Sequence, residues 1–387
     1  MMFQSLFQSL SESLGKRSAS IRRAGFAFLM LRVGLSLWFW VIDLLGLTER
    51  TSGVPALEGI RLITSGFRGA FIDIWLRWDS VHYLRIAQFG YAGDERSGFY
   101  PLYPLLGRIS GFVFGGDTWL GLLFVSNLFA FLAFYLLDLW MVSLGREKRA
   151  AWTLAGLALF PTGFFLLAGY PHSLLLFLAL AGVWCMANKR YALAFAIGLA
   201  AGLTHSTALP LALLFALWPT DKSKLVRRLL VASGPPLGIG SFLVWRVIQG
   251  FPPYAQMMRS VWGRGWIAPW TAFIQAQQSL GWSILVLRSW PNILIAALSI
   301  YAIIWVARSL PRQHAFYQAG LVILLLATGT EHEFLAGFGR YALSGYPLFA
   351  VLPAILQKGR RRAIFLAISS MIQLYLSGLF VLWAFVG

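Results

Sequence analysis

Long apolar runs, divided by short basic loops, restrict what this chain can fold into more than any other feature of it. The runs fall at about 24–47, 118–143, 151–169, 172–187, 191–218, 228–249, 291–308, 315–330, 340–356 and 363–386. Most approach the roughly 20 residues a helix needs to cross the hydrocarbon core of a bilayer. With 58% of residues hydrophobic and only 12% charged, no water-soluble fold could cover that surface, so the bilayer must act as solvent. The expectation is a single all-α polytopic membrane domain over 1–387, with no separate soluble domain.

A net charge of +18 would point to nucleic acid in a soluble protein. Here the basic residues sit in the short loops, where they orient the chain, and nucleic-acid binding is discounted. The basic clusters are Lys16, Arg17, Arg22 and Arg23; Arg146, Lys148 and Arg149; Lys189 and Arg190; Lys222, Lys224, Arg227 and Arg228; Arg308 and Arg312; and Lys358 with Arg360 to Arg362. Together they hold more than half of the 32 Lys and Arg residues, and the positive-inside rule puts them, with the N-terminus, in the cytoplasm of a cell-membrane protein. In the first 23 residues the charges follow the apolar stretch, unlike a signal peptide. That tail reads either as a cytoplasmic amphipathic surface helix or as a frayed end. Cys185 is the single cysteine, so no intrachain disulfide or cysteine metal cluster forms.

One run resists simple alternation. Basic loops flank 191–218 on both sides, so it must turn back on itself. The alternatives are one long span or two short helices, about 191–204 and 206–218, hinged at Thr204-His205-Ser206-Thr207. Backbone that breaks at membrane depth needs a wet cavity beside it. Read as a hairpin, it brings the count to about eleven helices. The outward loops are then 48–117, which should contain interfacial helices, 250–290, and 331–339. Most of the 14 acidic residues fall outward in this reading, although acids were not used to set it.

The first outward loop carries WDSVHYLRIAQFGY (78–91) and FYPLYPLL (99–106). Further on come LALFPTGFFLLAGYPHSLLLFLAL (157–180), AGLTHSTAL (201–209) and GRYALSGYPLFAVL (339–352). In that order these segments resemble the PIG-V family, the mannosyltransferases that add the second mannose to glycosylphosphatidylinositol precursors, and particularly its prokaryotic relatives. The resemblance implies a GT-C fold, a polyprenyl-phosphate sugar donor and a catalytic carboxylate in the first outward loop.

Transfer from such a donor needs a base for the acceptor hydroxyl and cationic or hydrogen-bonding groups for the departing phosphate. Asp79 is the base candidate; its alternative role is to cap the helix that follows. His82 and Arg85 follow on one helical face. Either they contact substrate or phosphate, or His82 is a packed histidine and Arg85 a snorkelling one. Asp94 and Glu95 offer a second carboxylate or are solvated loop acids. Tyr100 and Tyr103 are read as headgroup anchors rather than sugar platforms. Arg340, beside Tyr341, either grips the donor phosphate or pairs with Glu331 and Glu333. Glu331-His332-Glu333 point in different directions on a helix, so no metal site is assigned; a divalent metal is possible but not indicated. His205 and His172 face the cavity or make helix-packing hydrogen bonds, and the family pattern differs from this chain at both positions. Trp262, Trp266 and Trp270, spaced by four, suggest one interfacial helix.

These residues describe an inverting transfer of a hexose, mannose by the resemblance, from a polyprenyl-phosphate donor to a lipid or glycan acceptor on the extracytoplasmic side. A transporter or flippase of lipid-linked intermediates is the alternative. It is disfavoured because the ionisable residues crowd one loop instead of the midplane.

Overall fold

In the computed structural model, residues 2–48, 66–219, 225–330 and 333–384 are described. Residues 49–65, in the loop read from the sequence as outward, Lys222, Lys224, Glu331 and His332 lie outside them.

Among the described residues the fold is mainly helical. Helix α1 (Met2–Leu44) leads to the short α2 (Gly66–Phe71), then α3 (Asp79–Phe89), α4 (Leu102–Gly111), α5 (Thr118–Ser143), α6 (Glu147–Ala158), α7 (His172–Ala187) and α8 (Tyr191–Thr204). The second half holds α9 (Leu211–Ala216), α10 (Leu225–Ala232), α11 (Gly234–Ile248), α12 (Tyr254–Trp262), α13 (Pro269–Ser309), α14 (Arg312–Ala327), α15 (Phe338–Tyr341), α16 (Tyr346–Ile355) and α17 (Gly359–Val381). Among the described residues, five stretches are long and apolar enough to cross a membrane: Arg17–Leu44, Thr118–Ser143, Leu225–Ile248, Leu287–Ser309 and Gly359–Val381. The other apolar helices in this set run only 10–17 residues, among them those at 172–187 and 191–204.

The tail is not a separate element, because α1 continues through it without a break into the first span. Arg23 meets the buried Asp138 of α5 at 2.8 Å, fastening α1 to the bundle. The 191–218 run does turn back. Helix α8 stops at Thr204, His205 is extended, and a 3-10 turn at Ser206–Ala208 leads into α9. By Phe215 the chain is again beside Gly182 of α7 and Gly198 of α8.

Glycine lets helices meet backbone to backbone where membrane helices lack a hydrophobic driving force. A Cβ on Gly121 of α5 would lie 2.2 Å from the Gly107 carbonyl of α4, and one on Gly238 of α11 at the same distance from the Leu199 carbonyl of α8.

The 250–290 segment differs from the single interfacial helix that its tryptophan spacing suggested. It contains α12, a strand β1 (Arg264–Trp266) and the first half of α13, which is kinked at Gly281 with φ 72°. The strand pairs antiparallel with β2 (Thr328–Thr330), aligning Arg264 with Thr330. The tryptophan spacing is therefore not one helical stripe: Trp262 ends α12, Trp266 is in β1, and Trp270 opens α13. Trp266 and Trp270 are exposed, while Trp262 packs its ring 5.5 Å from His82.

Candidate active site

Asp79 is the first residue of α3, and the local backbone forces its presentation. Trp78, just before it, has φ 57° and ψ −130°, a conformation a bulky L-residue adopts only when its surroundings impose it. The surroundings are identifiable. Arg77 is buried and donates from Nε to the Val381 carbonyl at 2.8 Å, with its guanidinium 5.2 Å from the Trp383 ring. The Trp78 and Trp383 rings lie 5.8 Å apart. Tyr170 then spans the strained residue, donating from its hydroxyl to the Arg77 carbonyl at 3.3 Å and accepting from the Asp79 N–H at 3.1 Å.

Freed from capping, since α3 has Trp78 at its N-cap and no side-chain cap, the Asp79 carboxylate turns to Arg340. Asp79 Oδ2 and Arg340 Nη1 are 2.8 Å apart, with side chains 21% and 12% exposed. Arg340 is thus paired with Asp79 rather than with Glu333. It lies 5.8 Å from the Tyr170 ring and 5.0 Å from that of Tyr341, and donates from Nη2 to the Tyr341 hydroxyl at 3.2 Å. Its Nε is buried without a partner. The α15 turn carrying it is held at Gly339, whose N–H donates to Asn292 Oδ1 at 2.9 Å and whose carbonyl accepts from Thr162 at 2.8 Å.

The other sequence candidates form two groups. His82 Nδ1 and Arg85 Nη1 lie 3.9 and 3.7 Å from Glu95 Oε1, on the α3 face that begins with Asp79. His82 is buried, stacked 5.0 Å from Phe99. Burial pushes its pKa below the ordinary value against the pull of Asp79 and Glu95, so near pH 7 it is a neutral hydrogen-bonding group and not a cation for phosphate. Asp94 is structural: it caps the 3-10 turn that follows and pairs with Arg96 at 2.7 Å. In the second group, His205 accepts from the Thr207 N–H at 3.1 Å, satisfying its own turn, and its ring is 4.9 Å from Tyr341. His172 is buried 5.6 Å from Tyr341, its Nε2 without a partner.

Tyr100 and Tyr103 are not headgroup anchors. Both are buried, Tyr100 against His205 and Phe242, and Tyr103 with its hydroxyl 2.7 Å from Ser126. Glu333 borders the site, and burial pushes its pKa up to about 7 despite Arg288, Arg340 and Arg264. Among the described residues no group of three or more His, Cys, Asp or Glu side chains converges to hold a metal.

Sequence reasoning passed over Tyr170. Removing only its hydroxyl, as Tyr170→Phe, keeps the ring beneath Arg340 but unties Asp79 from the Arg77 carbonyl. If Asp79 is the base that the sequence suggests, transfer is expected to slow by about 10- to 100-fold in kcat with donor KM nearly unchanged, since misplacement of a reacting group costs rate more than affinity. Steady-state kinetics on the purified variant check this, and an unchanged kcat removes the positioning role.

Residues 57–217 match the family model described as Mannosyltransferase (PIG-V). No curated protein matches the chain. Among solved structures it is similar to the oligosaccharyltransferase of Archaeoglobus fulgidus. The form tethered to an acceptor peptide gives 13% identity and a TM-score of 0.44, covering 96% of this chain and 55% of that one. The apo form gives 12% and 0.43, with 96% and 56% covered. The complex with an inhibitory peptide and a dolichol-phosphate gives 13% and 0.41, with the same coverage. This chain spans about half the length of that protein. The stretch that holds Asp79, His82, Arg85, Glu95 and His205 is thus the part of the chain that matches the Mannosyltransferase (PIG-V) model, while Arg340 and Tyr341 lie beyond it.

Proposed function

We propose that this protein is an inverting GT-C-type glycosyltransferase that moves a hexose, mannose by its family resemblance, from a polyprenyl-phosphate donor to an acceptor hydroxyl on the extracytoplasmic face. The observation that carries the reading is the 2.8 Å pair between Asp79 and Arg340. It sets a base and a phosphate-binding cation side by side, as a displacement at the anomeric carbon of a sugar phosphate requires.

With donor in place, the acceptor O–H gives its proton to the Asp79 carboxylate while its oxygen bonds to C1 of the sugar. The bond from C1 to the phosphate oxygen breaks, and the polyprenyl phosphate leaves with the electron pair. Arg340 meets the charge that develops there, and its unpartnered Nε supplies a donor not already committed to Asp79 or Tyr341. One displacement inverts the anomeric centre. His82, Arg85 and Glu95, on the same face of α3, line the approach for the acceptor, and His205 and Tyr341 the side of the donor.

The test is incubation of proteoliposomes containing the full chain with polyprenyl-phosphate [3H]mannose and candidate acceptors. Label appearing in a lipid, glycan or protein product, with free polyprenyl phosphate released, is the expected result. Label that crosses the bilayer still attached to its donor, with no product, would mark a flippase instead.

A further inference from the structure

We infer that Arg264 is a second binding residue for the donor phosphate, facing Arg340 across the Tyr341 hydroxyl. This rests on the reading of the site as a lipid-phosphate sugar transferase. Three observations carry it. Arg264 Nη1 and Arg340 Nη2 each donate to the same phenolic oxygen at 3.2 Å, and their guanidiniums lie 5.3 and 5.0 Å from the Tyr341 ring. Both also crowd one point of backbone: a Cβ built on Gly337 would be 3.3 Å from Arg264 Nη2 and 3.3 Å from Arg340 Nε. Gly337 has φ 76° and no side chain to part them. Finally, among the described residues only one of the two cations is ion-paired with a carboxylate. Asp79 pairs with Arg340, whereas Arg264 is satisfied, among the described residues, only by the Tyr341 hydroxyl and the Ala336 carbonyl.

Two cations held this close repel in a partly desolvated setting unless an anion lies between them. Glu333 borders them, but burial raises its pKa, and it makes no ion pair with either. A phosphate accepts from two arginine forks at once. The β1 to β2 pairing is the device that brings Arg264 here. It carries a residue from the second outer segment to the strand leading into 333–341.

The experiment measures binding of a fluorescent polyprenyl monophosphate, and of the matching uncharged polyprenol, to the full chain in nanodiscs. Wild type is expected to prefer the phosphate. Arg264→Gln should weaken phosphate binding by about tenfold or more and leave polyprenol binding unchanged. Arg264→Lys, which keeps the charge but lacks the fork, should lose about threefold, and it decides the matter if the glutamine variant does not fold. Wild-type affinity for the phosphate in these variants overturns the assignment of Arg264 alone. A wild type that binds phosphate and polyprenol equally overturns the reading of the whole site with it.

Discussion

On the proposed mechanism, Asp79→Asn is expected to leave a folded protein whose kcat for sugar transfer is reduced by about a thousandfold or more. A positioned general base contributes roughly 10²- to 10⁴-fold, and asparagine preserves the shape and the hydrogen bond to Arg340 while removing the proton acceptor. The variant also strips Arg340 of its counter-charge. Breaking a fully buried pair costs about 3–5 kcal/mol, but Asp79 is 21% exposed, so solvent screening should hold the loss to about 1–2 kcal/mol. Product formation under single turnover, beside a thermal melt, separates the two effects. A variant with native kcat would remove the base assignment whatever its stability.

Arg340→Gln should be nearly as severe, lowering kcat/KM by about 10²- to 10³-fold, the scale seen when one charge-stabilising donor is lost. On the proposed mechanism it takes away the group that meets the leaving phosphate, and it leaves Asp79 without its cation. Arg340→Lys should recover only part of the activity, because a point charge cannot serve Asp79, Tyr341 and a phosphate together as the guanidinium does. The double variant Asp79→Asn with Arg340→Gln discriminates further. It leaves no unpaired charge, so its melting temperature should return toward wild type, while its activity stays at the floor set by either single change. Activity that rose along with stability would mean the pair is structural.

The readable part of this molecule was the part written in local sequence. The boundaries of α5 and α7 follow from where the apolar runs begin and end, and the turn at His205 followed from two basic loops that one span could not separate. Asp79, His82 and Arg85 on one face of α3 followed from helical spacing alone. What escaped was set by contacts distant along the chain. No periodicity ties Arg340 to Asp79; the pairing arises because Asn292 and Thr162 hold Gly339 from two other helices. Arg264 was hidden by a misleading regularity, tryptophans at every fourth position that span a helix end, a strand and a helix start. Tyr170 was masked by its neighbour His172, whose side chain offers more evident chemistry. The burial of Tyr100 and Tyr103 was missed for a related reason: aromatic residues beside proline in an outward loop look the same whether lipid headgroups or other helices receive them.

The clasp of Arg77 and Trp78 by the end of α17 bears on how far the motif can be moved. The matched stretch stops at residue 217, yet the strained turn inside it is held by groups at 381 and 383, and the cation it faces comes from 340. Transplanting 57–217 into an unrelated helical scaffold would carry over the recognisable signature and leave behind both its electrostatic partner and the latch that keeps Trp78 contorted. Chimaeras of this protein are therefore expected to gain function only when the donor region includes the closing helix.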